Sequence, residues 1–389
     1  MAINQFVPFA AQPGANVVTQ SSYAADPTTG MGFSSGIALS AKLNKVWRQS
    51  SFVSAGVAEL VSRLLNQDVL DDGNLTNFVQ KLEQALISMR PKQVLMSPIT
   101  NFYVSATRGS DFSTGVSTAE PWQTLQHAIN TVTNNLDFNM QSVVINVEDG
   151  NYTPFVCGTI PSGMFGRGSQ QLTMRGNVAN PGAVRIISQT SSCVMVQAGS
   201  QLHIEGFHLE SRGVGPWEGC AVIANGLGHI TFQAIDFGGC ANTHIFSGYD
   251  GFCAPVGNYT ISGGAMYHLK ASGCGEAGRT DPMIVSIIGN IEFTGAFIQL
   301  DGLSYIMWDA GNISFSGAGN VTGKKHQVFS NSVLQVPNGT INYFPGTLAG
   351  SVPAQPNTAT AGGSGGLFMT DWPGVSRTAF NHVDMNLLK

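Results

Sequence analysis

The sequence predicts a mainly β protein organised around a right-handed parallel β-helix, with a small α-helical region before it. Three observations lead there. One apolar motif recurs beyond residue 170, glycine is abundant while charge is scarce, and the hydrophobic period changes from helical to strand-like near residue 100.

The motif is a Gly, a short spacer, an alternating apolar run and often a second Gly. It reads Gly199-Ser-Gln-Leu202-His-Ile204-Glu-Gly206, Gly228-His-Ile230-Thr-Phe232, Gly257-Asn-Tyr259-Thr-Ile261, Gly289-Asn-Ile291-Glu-Phe293 and Gly311-Asn-Ile313-Ser-Phe315. Taking Ile204, Phe232, Ile261, Phe293 and Phe315 as equivalent gives steps of 28, 29, 32 and 22 residues. A strand-bearing repeat of that length marks a β-solenoid, in which each coil buries its apolar side against its neighbours. A β-sandwich has turn signals but no such recurrence. Uneven steps imply loops of different size leaving the coil, around 210–220 and 244–258 above all.

Composition agrees. Of 389 residues 47 are Gly, and only 11% are charged against 43% hydrophobic. Many short strands joined by tight turns need Gly for positive φ. The net charge of −5 and the absence of a Lys/Arg run argue against nucleic acid as a ligand. The start, MAINQFVPFAAQPG, lacks the basic and apolar regions of a signal peptide, and no window approaches a membrane span, so the expectation is a chain made in a cytoplasm without export or membrane insertion.

In chain order, residues 1–35 read as an extended arm, irregular and rich in Pro and Gly. Residues 36–95 read as a small helical oligomerisation or adaptor domain. Its three apolar stripes are Leu39, Leu43, Val46 and Trp47; then Val53, Val57, Leu60, Val61 and Leu64; then Leu75, Phe78, Val79, Leu82 and Leu86. Three short helices bury little, so self-association would help such a unit. The β-helix domain spans 96–345. Phe102-Tyr103-Val104-Ser105 is a strand, and Pro121 opens a capping helix over 121–134 that would cover the open end of the solenoid. Ser142–Val147 is a β-branched strand. Residues 346–389 begin as a Gly/Pro/Ser/Ala-rich flexible stretch and regain aromatics in a segment expected to dock back.

Few motifs carry chemistry. Gly32-Phe-Ser34-Ser35-Gly36 matches a nucleophile elbow, but a Pro/Gly loop precedes it where a strand is required, so Ser34 or Ser35 reads as a helix cap. The six cysteines form no C-x-x-C pair and read as buried thiols, and His203, His208, His229, His244 and His268 show no metal-ligand spacing. No metal and no cofactor is expected. Glycoside hydrolysis needs two carboxylates on one surface. Coils stack about 4.8 Å apart, which places His208 opposite Asp236, with Glu210 close by and Trp217 and Glu218 in an adjoining loop. Glu210, Asp236 and Glu218 are therefore the candidate catalytic carboxylates.

Three blocks resemble bacteriophage tail fibre and tailspike proteins. Asn16-Val-Val-Thr-Gln-Ser-Ser-Tyr23, Gly32-Phe33, Gly36-Ile37-Ala38, Leu43-Asn44-Lys45 and Arg48-Gln49-Ser50-Ser51 look like a virion-binding start. Phe102-Tyr103-Val104-Ser105, Gly109-Ser110-Asp111, Gly115 and Pro121-Trp-Gln-Thr-Leu-Gln-His-Ala128 resemble the opening of pectin-lyase-like β-helices. Tyr343-Phe-Pro-Gly346 and the run after it are similar to phage tail C-termini. The resemblance implies a homotrimer in the virion, assembled in the host cytoplasm. Its N-terminus would join another tail or baseplate protein through Phe6, Phe9, Tyr23 and Phe33. Its β-helix would bind a host surface glycan or pilus through residues such as His208, Trp217 and Tyr249. Some relatives of this kind cleave capsule or O-antigen, which makes a polysaccharide hydrolase or lyase the alternative.

Overall fold

A computed structural model describes residues 2–37, 39–88, 92–164, 170–215, 217–279, 281–351 and 367–369. The chain divides into two compact units, 1–91 and 92–389.

The first unit holds two short helices, α1 (Gln20–Ala24) and α2 (Thr28–Met31), and two longer ones, α3 (Ser40–Leu65) and α4 (Leu75–Ser88). The first two sequence stripes thus belong to one continuous helix of 26 residues rather than two. Nothing between Trp47 and Val53 breaks it, since Arg48-Gln-Ser-Ser contains neither Pro nor Gly. Helix α3 ends at Asn66 in the left-handed conformation, a standard stop. Residues 1–35 are also not a free extended arm. Asn4 bridges to Val69, and Phe6 packs on Phe78 with ring centroids 5.7 Å apart, inside the cluster of Ala58, Val61, Val69 and Ala85. Phe6 and Phe9 of the arm thus find partners on the chain's own helices, whereas Val7, Met31 and Phe33 stay exposed.

The second unit is a parallel β-helix. Among the described residues, sheet A has ten strands, from Ile99–Val104 to Leu367–Met369, while sheets B and C have seven each. Sheet B runs from Gly150–Tyr152 to Ile313–Ser316, and sheet C from Phe155–Cys157 to Val321–Val328. Every pairing between successive coils is parallel, so each sheet carries one strand of each coil. Coils begin at Ser142–Val147, some thirty residues before the motif becomes regular. Inward residues such as Ile204, Phe232, Phe237, Phe293 and Trp308 form one continuous core. No helix among the described residues is long and apolar enough to cross a membrane. The unit's cysteines are all unpaired, and all but the exposed Cys274 are buried.

The recurring motif marks strand starts, but not one register. Ile204 does pair with Phe232 in sheet A. Ile261 and Phe315 lie in sheet B, and Phe293 in sheet C. Gly followed by an alternating apolar pair is what any strand after a tight turn looks like, so the motif recurs on all three faces. The true register is set by the turns that join sheet C to sheet A. Their central pairs are Ala198-Gly199, Gly226-Leu227, Tyr249-Asp250, Gly273-Cys274, Gly302-Leu303 and Ser330-Asn331, and every one of these residues has positive φ. That is the type I′ geometry. The residue after each pair is Ser200, Gly228, Gly251, Gly275, Ser304 or Ser332, and it lies hard against the coil before. A Cβ on Gly228 would stand 2.0 Å from the Val196 oxygen, and on Gly251 2.3 Å from that of Ala224.

Helix α5 (Leu125–Asn135) starts four residues later than Pro121. Asp111 accepts from the Gln123 and Thr124 amides at 2.8 and 2.9 Å and from the Thr124 hydroxyl at 2.7 Å, and Thr124 caps the His127 amide. Its buried face (Leu125, Ala128, Ile129 and Val132) joins the solenoid core beside Phe155.

Inside the core His244 and His268 meet Nδ1 to Nδ1 at 3.1 Å, and the Tyr259 hydroxyl lies 2.8 Å from His268 Nε2. Both rings are fully buried among Phe237, Phe293 and Phe297. Burial pulls His244 down to about 4 and His268 well below its ordinary value.

Two outcomes are expected. Gly251→Ala should lower stability by roughly 2 kcal/mol or more, because backbone must move. Leu303→Gly should raise it by about 1 kcal/mol, because it relieves a left-handed residue. Urea midpoints read both. The histidines are neutral in the fold and protonate more readily when unfolded. Their contribution is therefore complete above pH 6.5 and lost as pH falls toward about 4. The loss should be on the order of 3 kcal/mol, and an unfolding midpoint that stays flat from pH 7 to 4.5 would refute the assignment.

Candidate functional site

Two outer faces of the solenoid gather chemistry, and the predicted residues divide between them. On sheet B, Asn151, Arg185, His208, Asp236 and Thr260 are register partners on five successive coils. They alternate with inward Tyr152, Ile186, Leu209, Phe237 and Ile261, which fixes them outward. The His208 Nδ1 is 2.7 Å from Asp236 Oδ2, and its Nε2 is 3.8 Å from Glu210 Oε2. Arg212 in turn donates to Glu210 Oε1 from Nε and a terminal nitrogen at 3.0 and 2.7 Å. The ring of His208 is buried, and a Cβ on Gly238 would lie 2.8 Å from it. Burial pushes the Asp236 carboxyl up, but hydrogen bonds from His208 and Ser262 outweigh it and hold the group below its ordinary value. The register His208 to Asp236, with Glu210 beside them, is thus the one expected from coil spacing. The arrangement is an imidazole between two carboxylates, able to hold or relay a proton.

Glu218 does not join them. Its carboxylate accepts from the Gly215 amide at 2.8 Å and shapes the loop that carries Trp217. That loop lies over sheet C. Trp217 packs on Phe246 and Tyr249, each with centroids 5.4 Å away. Phe246 is buried on Ile223, Cys220 and Met195, whereas Trp217 and Tyr249 are 36% and 57% exposed. Tyr249 is a turn residue held at φ 47°. A bulky side chain there costs about 1–2 kcal/mol, and the ring lies exposed beside Trp217.

The next rungs of sheet C continue this surface. Ile223, Phe246, Lys270 and Gln299 are register partners, and two residues further on lie Asn225, Gly248, Ser272 and Asp301. Lys270 Nζ stands 5.9 Å over the Phe246 ring, 5.4 Å over the Tyr267 ring and 3.8 Å from Asp301 Oδ2. Asp301 also accepts from Ser272 and, at 3.0 Å, from Gln299 Nε2. Phe246, Lys270, Gln299 and Asp301 were missed in the sequence. Aligning the chain on the type I′ turns would have found them, since Phe246, Lys270 and Gln299 each stand three places before a turn's central pair and Asp301 one place before.

On sheet A, Glu205 is buried beside Arg175 and accepts from Gln233 at 2.6 Å. The neighbouring His203, with Gln233 and Arg175, holds it down to about 2. Among the described residues no group of three or more His, Cys, Asp or Glu side chains could hold a metal ion. In the first unit, Phe6 is part of the helical core, Phe9 packs edge-on against Trp47 at 5.9 Å, Lys45 stands 5.9 Å over the Tyr23 ring, and Phe33 is exposed.

No family model matches the chain, and no curated protein matches it. Among solved structures it is similar to YbhC of Escherichia coli, at 12% identity and a TM-score of 0.39, over 72% of this chain and 86% of that one. The fold assignment rests on the strand registers above and not on this likeness.

Asp236→Ala would leave a buried imidazole without its acceptor. It should cost about 1–3 kcal/mol, read as a lowered urea midpoint, whereas Glu218→Gln should cost less than about 1 kcal/mol.

Proposed function

We propose that this chain is a trimeric tail fibre or tailspike component of a phage particle, joined to the tail through its N-terminal unit and binding a glycan of the host surface through sheet C. The observation that carries the glycan reading is the exposed Trp217–Tyr249 pair beside the polar side chains of the next rungs. One face of a sugar ring presents only carbon-bound hydrogens, which lie well against a flat aromatic surface, while its edge presents hydroxyls to the polar groups alongside.

Self-association is supported by the first unit. Its buried core is small, and helices α3 and α4 leave Trp47, Val53, Leu75, Val79 and Leu86 exposed. A groove of about 410 Å³ lined by Phe6, Val53, Val57, Leu70, Leu75 and Phe78 opens between them. A second copy is the occupant that would bury so much apolar surface. The number three and the virion come from the sequence resemblance, as does an attachment role for the aromatic residues of the arm.

Light scattering on the full chain should give three times the monomer mass. Leu75→Glu combined with Val79→Glu should shift it to monomer, and a wild-type monomer would end the trimeric reading. Tyr249→Gly should weaken binding to host cells at least about tenfold without lowering the thermal midpoint, because the turn prefers Gly.

A polysaccharide depolymerase is the second reading, favoured by His208 standing between Asp236 and Glu210. Released reducing ends from host capsule or lipopolysaccharide, abolished in Glu210→Gln and in Asp236→Asn, would establish it. Unchanged polymer in the presence of wild-type protein would leave binding alone.

A further inference from the structure

Resting on the reading of sheet C as the receptor face, we infer that the glycan recognised there is neutral, and that Asp301 is the residue that excludes acidic sugars.

A lone lysine beside an aromatic platform would attract uronates and sulfated sugars. Lys270 is not alone. Its ammonium lies 3.8 Å from Asp301, whose other contacts are Ser272 and the Gln299 amide nitrogen. The carboxylate is thus fixed from three sides, and the local charge sums to zero. An acidic ligand approaching Lys270 meets Asp301 in the same step.

The remaining polar atoms select in the same direction. Gln299 is 7% exposed; its nitrogen is committed to Asp301, and its Oε1 has no hydrogen-bond partner among the described residues. The Asn225 Oδ1, in the neighbouring column, is in the same state. A buried carbonyl without a donor is costly, and a ligand able to donate relieves it. Sugar hydroxyls donate. A carboxylate or sulfate only accepts, so wherever it replaces a hydroxyl beside these carbonyls it leaves them unpaired and adds repulsion. The site is therefore an aromatic shelf with acceptors at its edge and a compensated cation, which is complementary to a hydroxyl-rich uncharged saccharide.

The test uses the full-length protein on immobilised dextran and mannan as neutral polymers, polygalacturonate as a uronate and heparin as a sulfated polymer, at two salt concentrations. Wild type should bind a neutral polymer with little dependence on salt, and Trp217→Ala should abolish that binding. Asp301→Asn keeps the shape of the side chain and removes its charge. It should gain at least about tenfold for the uronate, in a salt-dependent manner. Should that variant fail to fold, Asp301→Ser is the substitute and should show the same gain, and a folded variant with no gain for the uronate overturns the inference. If wild type prefers the uronate or heparin while Trp217→Ala still abolishes binding, the inference falls and sheet C remains the receptor face. If Trp217→Ala leaves binding intact, or no polymer is bound, sheet C itself is the wrong face and the inference falls with it.

Discussion

The close approach of successive coils at the turns between sheets C and A is the constraint on which the rest depends. There the backbone of one coil lies against the carbonyls of the coil before, with no room for a side chain at Gly228, Gly251 or Gly275. Once those contacts are made, the stacking distance is fixed, each strand finds its partner, and side chains at equal positions form columns. The buried core, the His208–Asp236 pair and the Phe246–Lys270–Gln299 column are all products of that registration.

The fold was largely legible. A parallel β-helix followed from the repeat and from the composition, and the strand at Ser142–Val147 lies where its β-branched residues put it. The register was harder. Apolar alternation has a period of two on every face, so Ile204, Ile261, Phe293 and Phe315 look equivalent although they occupy three different sheets. What distinguishes the faces is backbone conformation. A pair such as Tyr249-Asp250 has no Gly, and Asp250 alone marks positive φ only weakly beside a bulky Tyr, so the turn was passed over and the alignment slipped. In the helical unit the opposite error occurred, because two stripes out of phase suggested two helices where the 26 residues of α3 contain no breaker.

The sites divide on the same line. His208 and Asp236 were found together because they are related by the step from Ile204 to Phe232, the one step where the apparent and true registers coincide. Trp217 and Tyr249 were picked out as loop residues but assigned to the surface of His208, whereas the structure puts them together on sheet C with Phe246. Lys270 and Asp301 had no signal of their own. Single charged residues in a strand acquire meaning only from the neighbours that register supplies.

Because each coil touches only the coils before and after it, the two outer faces are coupled to the scaffold but scarcely to each other. Substitutions along the Phe246–Lys270–Gln299 column leave the inward residues of the same strands, Ile245, Leu269 and Ile298, where they are. A lineage could thus exchange an outer face one rung at a time, or gain and lose whole coils, while the inward core of the remaining coils stays unchanged. The buried core is the part that must remain constant, and the outward columns are the part free to diversify.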